Sequence, residues 1–362
     1  MSDLQRFSAA SLIDFVDQAL QRKDVPPEDA RLAAEILVEA DLMGIESHGV
    51  AHLTVHPSYA LGFSQGLVNP RPNIRIVHQT PSTALVDGDG GLGAVVGYRA
   101  MSIAIQKAKE CGTGMVAVTG SRHYGAAGYY ALMAVPHDMI GLATTNSPPF
   151  VAPTFGRGRM LGTNPIAVAV PVGSGHPFLL DMATSAAAHG KFEVARKEGK
   201  PIPLGWGADE EGNPSTDVTR IMRTGWLLPL GSTPEAASYK GYDLAMVVDI
   251  LSGVLPGLGY SLHIDYIKHV VGHFFGALRV DGFRPVDEFK AMMDEMLQTF
   301  RSAPTVAGAE RVLIAGQREF ETREERLVKG VPLHAVVVGM LQRLADEVGV
   351  AMPEPLPADP AP

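Results

Sequence analysis

Three histidines, His48, His52 and His56, recur every four residues near the start of the chain. On a helix this spacing would place three imidazoles on one face, and neutral imidazoles are good ligands for zinc or copper. Glu46 precedes His48, so the glutamate does not stand where zinc hydrolases place it, after the first histidine. Two interpretations stay open: a metal-dependent hydrolase that uses the three histidines, or a helix face whose histidines have separate functions.

Two histidines stand in contexts that suit proton transfer. His48 lies between Ser47 and Gly49 at the end of a helical pattern, where a neighbouring hydroxyl can select the tautomer of an imidazole. His123 follows a strand pattern and precedes a helix whose first turn contains small residues, so free backbone N–H groups lie close to it. Each imidazole is a candidate general acid or base, with a structural role as the alternative.

A glycine-rich stretch links a predicted strand to a predicted helix. Gly88, Gly90 and Gly93 satisfy the G-x-G-x-x-G pattern that lets a backbone approach a pyrophosphate in Rossmann folds. The acidic residue expected after the next strand is absent, because the sequence there reads Gly-Ser-Arg over 120–122. The pattern therefore favours a strand-to-helix turn over a standard Rossmann site.

The elements around these motifs alternate between helix and strand. Helical patterns cover 9–22, 26–45, 50–62, 94–111, 126–133, 184–196, 244–255, 286–301 and 336–347. Strand patterns cover 74–77, 83–86, 114–118, 140–145, 166–170, 274–280 and 312–314. Short β-branched runs among amphipathic helices predict an α/β fold.

Composition excludes several classes of protein. Apolar residues make up 46% and charged residues 19% of the 362, which excludes a disordered polymer. A net charge of −9 argues against a nucleic-acid partner. The longest apolar stretch, 244–260, is interrupted by Asp249, and the first residues do not form a signal peptide, so we expect no membrane partner and a cytoplasmic location. Cys111 is the single cysteine, which excludes an internal disulfide.

Five segments together resemble a known family. They read DLMGIESHGV, VTGSRHYGAAGYYA, LGTNPIAVAVP, DMATSAAAHGK and YKGYDLAMVVDILSGVL. Their order and approximate spacing are similar to those of the malate/L-lactate dehydrogenase family, which includes ureidoglycolate dehydrogenase, sulfolactate dehydrogenase and the cyclic imino-acid reductases. The resemblance extends from about residue 7 to residue 350.

The resemblance implies an architecture. The fold would be α/β, with a non-Rossmann NAD(P)-binding domain built on a largely antiparallel mixed sheet and a helical domain built from both chain ends. The boundaries that follow are an N-terminal helical part over 1–72, an NAD(P)-binding and catalytic domain over 73–300, a C-terminal part over 301–350 that packs on the helical domain, and a frayed tail over 351–362. The family also implies a homodimer.

The resemblance implies roles for particular residues. Ser47, His48 and Asp181 would form a relay in which His48 exchanges the proton, and His123 stands at a second acid–base position. Thr163 matches a substrate contact, and no metal is needed where a histidine polarises the carbonyl. The positions that match cofactor contacts, for NAD or NADP, are Ser121, His123, Tyr124, Gly125, Ser147, Asp181, Met182, Ala183 and Lys240.

The chain departs from the family pattern at two places. His52 stands where the family usually has an arginine that binds the substrate carboxylate. Either His52 or His56 would then bind the carboxylate, or the substrate would differ. Near the C-terminus, Ala315, Gly316 and Gln317 replace the Pro-Gly-Glu of a loop that helps hold the nucleotide in relatives.

These observations predict an NAD(P)-dependent oxidoreductase. It would transfer a hydride between nicotinamide and C2 of a small 2-hydroxy acid or 2-oxo acid, such as malate or lactate. The first alternative is reduction of a cyclic 2-imino acid by the same site. The alternatives outside this activity are a metal-dependent hydrolase based on His48, His52 and His56, and a family member that binds nucleotide without turnover.

Overall fold

A seven-stranded mixed sheet is the central element of the chain, whose computed structural model describes residues 4–357. The strands of this sheet are β2 (Arg75–Gln79), β3 (Thr83–Asp87), β4 (Thr113–Ser121), β5 (Met139–Thr145), β6 (Ile166–Val170), β7 (Phe178–Met182) and β11 (Val271–Arg279). Their spatial order is β2-β3-β4-β11-β5-β6-β7. β3 and β4 are parallel, and the other five neighbouring pairs are antiparallel. The predicted α/β fold with a mixed sheet is confirmed.

Smaller strands and the helices surround this sheet. The helices are α1 (Ala9–Gln21), α2 (Pro27–Leu42), α3 (His52–Val55), α4 (Ala60–Ser64), α5 (Gly93–Cys111), α6 (Ala127–Leu132), α7 (His189–Glu198), α8 (Val218–Arg223), α9 (Tyr239–Asp249), α10 (Val286–Arg301), α11 (Gln317–Lys329) and α12 (Ala335–Val348). The remaining strands are β1 (Leu4–Phe7), β8 (Gly207–Ala208), β9 (Pro214–Ser215), β10 (Trp226–Leu227) and β12 (Val331–His334). Within residues 4–357, no helix is both long enough and apolar enough to cross a bilayer.

The core follows from the apolar patterns of β11 and α5. β11 is buried on both faces from Val271 to Ala277, as expected of a central strand with a continuous apolar run. α5 buries Ala100, Ala104 and Ala108 at helical spacing and packs against β4 and β11. The helix ends at Gly112, whose φ of 84° is the left-handed C-cap that glycine adopts without a side-chain penalty.

The two ends of the chain meet. β1 pairs with β12 in antiparallel register, with Phe7 opposite Val331. The Lys23 and Glu347 side chains form an ion pair of 2.7 Å between α1 and α12. In the C-terminal tail, predicted to be frayed, the Leu356 N–H donates to the Arg6 carbonyl at 2.7 Å, so the tail is attached to β1 there. The rest of that prediction, residues 358–362, lies outside the described residues.

Several predicted boundaries were wrong for local reasons. The helix predicted over 50–62 divides at Pro57, because a residue before proline disfavours helical angles and His56 is extended, with ψ of 135°. The strand predicted over 312–314 is a loop, in which the Ile314 N–H donates to the Gln317 side chain ahead of α11. The edge strand β7 lies in a stretch for which we predicted no element. The helix predicted from residue 184 begins instead at His189.

Candidate active site

Five histidine side chains meet between the loop after α2 and the sheet; we call His48, His52, His56, His123 and His269 the histidine cluster. The His123 ring lies 5.3 Å from that of His48, 4.7 Å from His52 and 4.4 Å from His56, measured between centroids. The His269 ring lies 4.6 Å from His56. The four predicted histidines are therefore brought together. His269, in the loop before β11, was missed because no local motif distinguishes it.

Asp41 holds the loop that carries His48 in place. The Asp41 Oδ2 atom accepts a hydrogen bond of 2.7 Å from the Val50 N–H, and a Cβ on Gly49 would lie 2.0 Å from Asp41 Oδ1. Glycine is therefore required at position 49 by close packing. Burial raises the pKa of Asp41 to about 7. Sequence reasoning missed Asp41. The signal was present, because an acid four residues after Leu37 lies on the apolar face of the predicted helix.

The histidine cluster is electrically neutral at ordinary pH. Burial lowers the pKa of His48 and of His269 to about 4, and lowers the pKa of His52, His56 and His123 well below the usual value. The Ser47 Oγ and His48 Nδ1 atoms are 2.9 Å apart, which is the contact expected of a hydroxyl that selects the tautomer. A neutral His52 would not supply the positive charge of the arginine that the family resemblance predicts at this position.

The geometry offers no support for a metal centre at these histidines. The His48 and His123 rings stack at 30°, and the His56 and His269 rings meet at 83° in an edge contact. In the part of the chain that the structure describes, no group of three or more histidine, cysteine or carboxylate side chains is arranged to hold a metal ion. The cluster therefore consists of packed aromatic rings rather than converging ligands.

Two predicted residues, Ser147 and Thr163, lie near the end of β7 in a group of hydrogen-bonded residues that we call the polar network. Its other members, which were not predicted, are Asn146, Asn164, Thr184 and Asp249. The Thr163 N–H donates to Ser147 Oγ at 3.1 Å, and the Ser147 N–H donates to Asn164 Oδ1 at 3.3 Å. The Thr184 N–H donates to the Thr163 carbonyl at 2.9 Å. The predicted substrate contact Thr163 and the predicted cofactor contact Ser147 therefore touch each other.

Asp181 connects the end of β7 with the start of α6. Its Oδ2 atom accepts a hydrogen bond of 2.7 Å from the Gly128 N–H at the start of α6, five residues beyond His123. Burial raises the pKa of Asp181 to about 6. The carboxylate is thus hydrogen-bonded to the backbone of α6 rather than to His48, and its assistance to that histidine stays a prediction. Ser47 packs against the start of α7, because a Cβ on Gly190 would be 2.9 Å from the Ser47 Cβ.

The other predicted cofactor residues have different surroundings. Ser121 Oγ lies 2.8 Å from His273 Nε2, and the Tyr124 ring stacks on His273 at 4.5 Å. The Gly125 N–H donates to His123 Nδ1 at 3.3 Å. Lys240 is exposed near the start of α9. Met182 and Ala183 stand at the end of β7.

The glycine-rich stretch serves a packing role. The Gly88 and Gly90 N–H groups donate to the Thr119 and Gly120 carbonyls at 2.9 and 2.7 Å. A Cβ on Gly93 would lie 2.0 Å from the Arg122 carbonyl oxygen. The stretch therefore holds the segment that carries His123, and its backbone donors at residues 88 and 90 are already used.

The outer edge of β7 offers backbone groups that suit a nicotinamide carboxamide. The Leu179 N–H donates outward, at 3.3 Å, to the Ala315 carbonyl. Because backbone groups alternate along a strand, the N–H and C=O of Asp181 face the same outer edge, away from β6. A carboxamide contains one N–H donor group and one carbonyl acceptor, which match such an edge.

Two predicted site residues have a buried polar atom without a hydrogen-bond partner. These atoms are Tyr124 Oη and His52 Nδ1.

The fold and the site define a dehydrogenase-like α/β protein, and comparison with known proteins identifies its family. The chain belongs to the malate/L-lactate dehydrogenase family, whose model matches residues 7–342. It is 47% identical to a malate dehydrogenase of Pyrococcus horikoshii, over 94% of each chain. It is 37% identical to an L-sulfolactate dehydrogenase of Methanocaldococcus jannaschii, over 91% of this chain and 94% of the relative.

A solved structure extends this similarity to three dimensions. A crystal structure of malate dehydrogenase from Entamoeba histolytica matches with a TM-score of 0.93 at 33% identity, covering 97% of this chain and all of that one (100%). The family resemblance inferred from the five segments is therefore confirmed, and so is the prediction of a hydroxy-acid dehydrogenase. The chain is an oxidoreductase of this family.

Proposed function

We propose that the protein reversibly oxidises a small 2-hydroxy acid of the malate type to the corresponding 2-oxo acid, with NAD or NADP as the hydride carrier. The observation that carries this proposal is the Ser47–His48 hydrogen bond inside a neutral histidine cluster. The name of the Pyrococcus horikoshii relative supports the malate-type substrate.

The proposed mechanism assigns proton transfer to His48. In the tautomer whose Nδ1–H donates to Ser47 Oγ, the neutral imidazole can accept the substrate hydroxyl proton at Nε2. A bound nicotinamide would supply the hydride acceptor for oxidation at C2 of the hydroxy acid and the hydride donor for the reverse reduction. His123, stacked on His48, contacts the same reacting region and is the second candidate for this proton. Thr163, and His52 as a neutral hydrogen-bonding group, would contact the substrate.

The nicotinamide nucleotide would lie along β7 rather than over Gly88–Gly93. In this proposal, the backbone of Asp181–Ala183 would hold the carboxamide, and Ser147, Tyr124, Gly125 and the Ala315–Gln317 loop would surround the nucleotide. The used N–H groups of Gly88 and Gly90 support this non-Rossmann arrangement. It also fits a division into helical parts over 1–72 and 301–350 and a nucleotide-binding domain over 73–300, in a cytoplasmic enzyme.

A homodimer is part of this proposal. The segment from α9 to the loop before β11 exposes a series of large apolar side chains, which single soluble chains rarely leave to water. The exposed fraction is 54% for Ile250, 58% for Leu255 and 61% for Ile267. We propose that a second copy of the chain covers these apolar side chains, because the family resemblance implies a homodimer. Sedimentation of the protein should give twice the monomer mass, and charged substitutions at Ile250 and Leu255 should shift it toward the monomer.

A substrate panel tests the proposed reaction. Oxaloacetate, pyruvate and the cyclic imino acid 1-piperideine-2-carboxylate would each be mixed with NADH or NADPH, and the absorbance of the reduced nucleotide followed. We expect oxidation of the nucleotide with a 2-oxo acid, and reduction of NAD or NADP in the reverse direction with malate. Turnover of the cyclic imino acid alone would replace the proposal with the reductase activity. A folded protein that turns over no compound of the panel would contradict it.

A further inference from the structure

Arg122, which precedes His123 in the chain, is a buried cation with unused donors. The residue is 6% exposed, and its Nη2 atom donates to the Leu67 carbonyl. Its Nε and Nη1 atoms have no hydrogen-bond partner. A buried guanidinium normally pairs with a carboxylate or saturates its N–H groups, because leaving them unmet costs free energy.

The unpaired guanidinium packs against the segment that follows His56 in the chain, because its Nη2 atom donates to the Leu67 carbonyl. The next residue, His123, belongs to the histidine cluster, and its N–H donates to Ser58 Oγ in the same segment. Burial, and to a smaller extent the charge of Arg122, lowers the pKa of His269, whose ring contacts His56. The five imidazoles are neutral, so they provide hydrogen bonds but no charge for an anion. Arg122 is therefore a permanent cation next to a cluster that lacks one.

The reaction requires such a cation close to the proton-transfer group. In a 2-oxo acid the carboxylate is bonded directly to the carbon that receives the hydride, so the anion and the polarised carbonyl must be bound side by side. Arg122 and His123 are consecutive residues, with Cα atoms about 3.8 Å apart. His48, the proposed proton carrier, is in ring contact with His123.

We propose that Arg122 binds the substrate carboxylate, in place of the arginine that the family usually has where this chain has His52. The free Nε–H and Nη1–H groups can each donate to a carboxylate oxygen. Burial lowers the pKa of Arg122, but a guanidinium still keeps its charge near neutral pH. Thus the carboxylate site is conserved in chemistry while its cation has moved from α3 to the loop after β4. This inference rests on the proposed function.

Replacing Arg122 tests the assignment, because the loss should affect a substrate with a carboxylate charge and spare an uncharged ester. In Arg122→Gln, we expect the KM for pyruvate or oxaloacetate to rise by about 10- to 100-fold, the range for a lost hydrogen bond to a charged group. The kcat/KM for methyl pyruvate, which has no carboxylate charge, should change little. Arg279→Gln is the matched control, since Arg279 lies at the opposite end of β11 from His273 and pairs with Asp281 at the surface. Equal losses with acid and ester would mean a structural role and overturn the proposal.

Equilibrium binding provides a test without turnover. Oxamate, a stable carboxylate analogue, would be titrated calorimetrically into each variant with NADH or NADPH present. We expect the affinity to fall by about 10- to 100-fold in Arg122→Gln and to stay at the parent value in Arg279→Gln. Absence of oxamate binding to the parent protein, or equal binding by parent and Arg122→Gln, would overturn the assignment. Binding through Arg122 without turnover of any 2-oxo acid would instead contradict the proposed reaction alone.

Two further variants protect the test against misfolding. Arg122→Lys keeps the charge at the site, so the preference for acid over ester should persist at reduced affinity; loss of that preference in a folded Arg122→Lys would contradict the assignment. Introducing His52→Arg into Arg122→Gln returns a cation to the family position. We expect this double variant to regain tight oxamate binding, whereas a purely structural Arg122 would leave it as weak as in the single variant.

Discussion

The histidine cluster and the polar network differ in whether every buried polar side-chain atom has a hydrogen-bond partner. In the polar network, Ser147, Thr163 and Asn164 hydrogen-bond to one another or to the backbone. At the histidine cluster, His52 Nδ1 and two nitrogen atoms of the adjacent Arg122 have no partner. Satisfied groups hold a backbone in place, whereas unsatisfied buried donors are suited to a ligand. We therefore expect the histidine cluster to contact the reacting groups, and the polar network to hold the surrounding backbone in position.

The largest effect should follow from removing His48. His48→Ala is expected to lower kcat by about 10²- to 10⁴-fold, the usual contribution of a positioned proton carrier, while leaving nucleotide binding nearly intact. His123→Ala should weaken nucleotide binding as well as turnover. Steady-state kinetics and fluorescence titration with NADH or NADPH would measure both. If His48→Ala retained more than about a tenth of kcat, the proton-transfer role would pass to His123.

Acid should destabilise the protein through the buried imidazoles. A pKa lowered in the folded state means that the unfolded chain binds more protons below pH 6.5, so the free energy of unfolding falls as pH drops from about 6.5 toward 4. Asp41 and Asp181, with pKa values raised to about 7 and 6, and Asp249, whose pKa burial also raises, act in the opposite direction, but they are three groups against six. The six are His48, His52, His56, His123, His269 and His273.

Urea denaturation at several pH values would measure this dependence. The loss between pH 6.5 and 4.5 should amount to several kcal/mol, and His48→Gln should reduce its slope. The exposed His78 on β2 offers a matched control, because His78→Gln removes an imidazole that is not buried. Stability that is constant or rises toward pH 4.5 would show that the cluster is protonated in the folded protein.

A smaller effect is expected at Gly49, where close packing against Asp41 fixes the loop that carries His48. Gly49→Ala would bring a Cβ against the Asp41 carboxylate, so the loop must move. We expect a loss of about 1–3 kcal/mol in unfolding free energy, typical of overpacking, together with a lower kcat because His48 moves with the loop. Gly282→Ala is the control, since nothing lies within 4 Å of a Cβ there. Unchanged kcat and stability in Gly49→Ala would contradict the positioning role of Asp41.

The smallest effect should come from the polar network. Asp249 accepts hydrogen bonds from the Ser261 N–H at 3.1 Å and from Asn146 Nδ2 at 3.2 Å. Asp249→Asn should cost about 1 kcal/mol of unfolding free energy, because an amide presents a donor where acceptors are needed. The substrate KM should hardly change. Asp243→Asn, on the exposed face of α9, is the control. A large change in KM for Asp249→Asn would mean that the polar network also determines substrate binding, which contradicts the positioning role.

The fold was predictable wherever a local pattern dominates. The periodicity of α5 and the continuous apolar run of β11 placed these elements within a few residues. β7 was missed because an edge strand is specified by its neighbours: its run FLLDM is short, contains the charged Asp181, and pairs within the sheet with β6 alone. The division of α3 from α4 at Pro57 could have been predicted from the proline itself.

The sequence by itself determined the family and the residue types at the site, because the motifs around His48, His123 and Asp181 are local strings of letters. The resemblance also predicted that His52 stands where the family usually has an arginine. The tertiary structure decided which groups share a space and which of them are charged. His269 joins the histidine cluster from a residue far along the chain, burial makes the imidazoles neutral, and Arg122 is left with free donors. Burial and proximity between distant segments are properties of packing, and no local pattern encodes them.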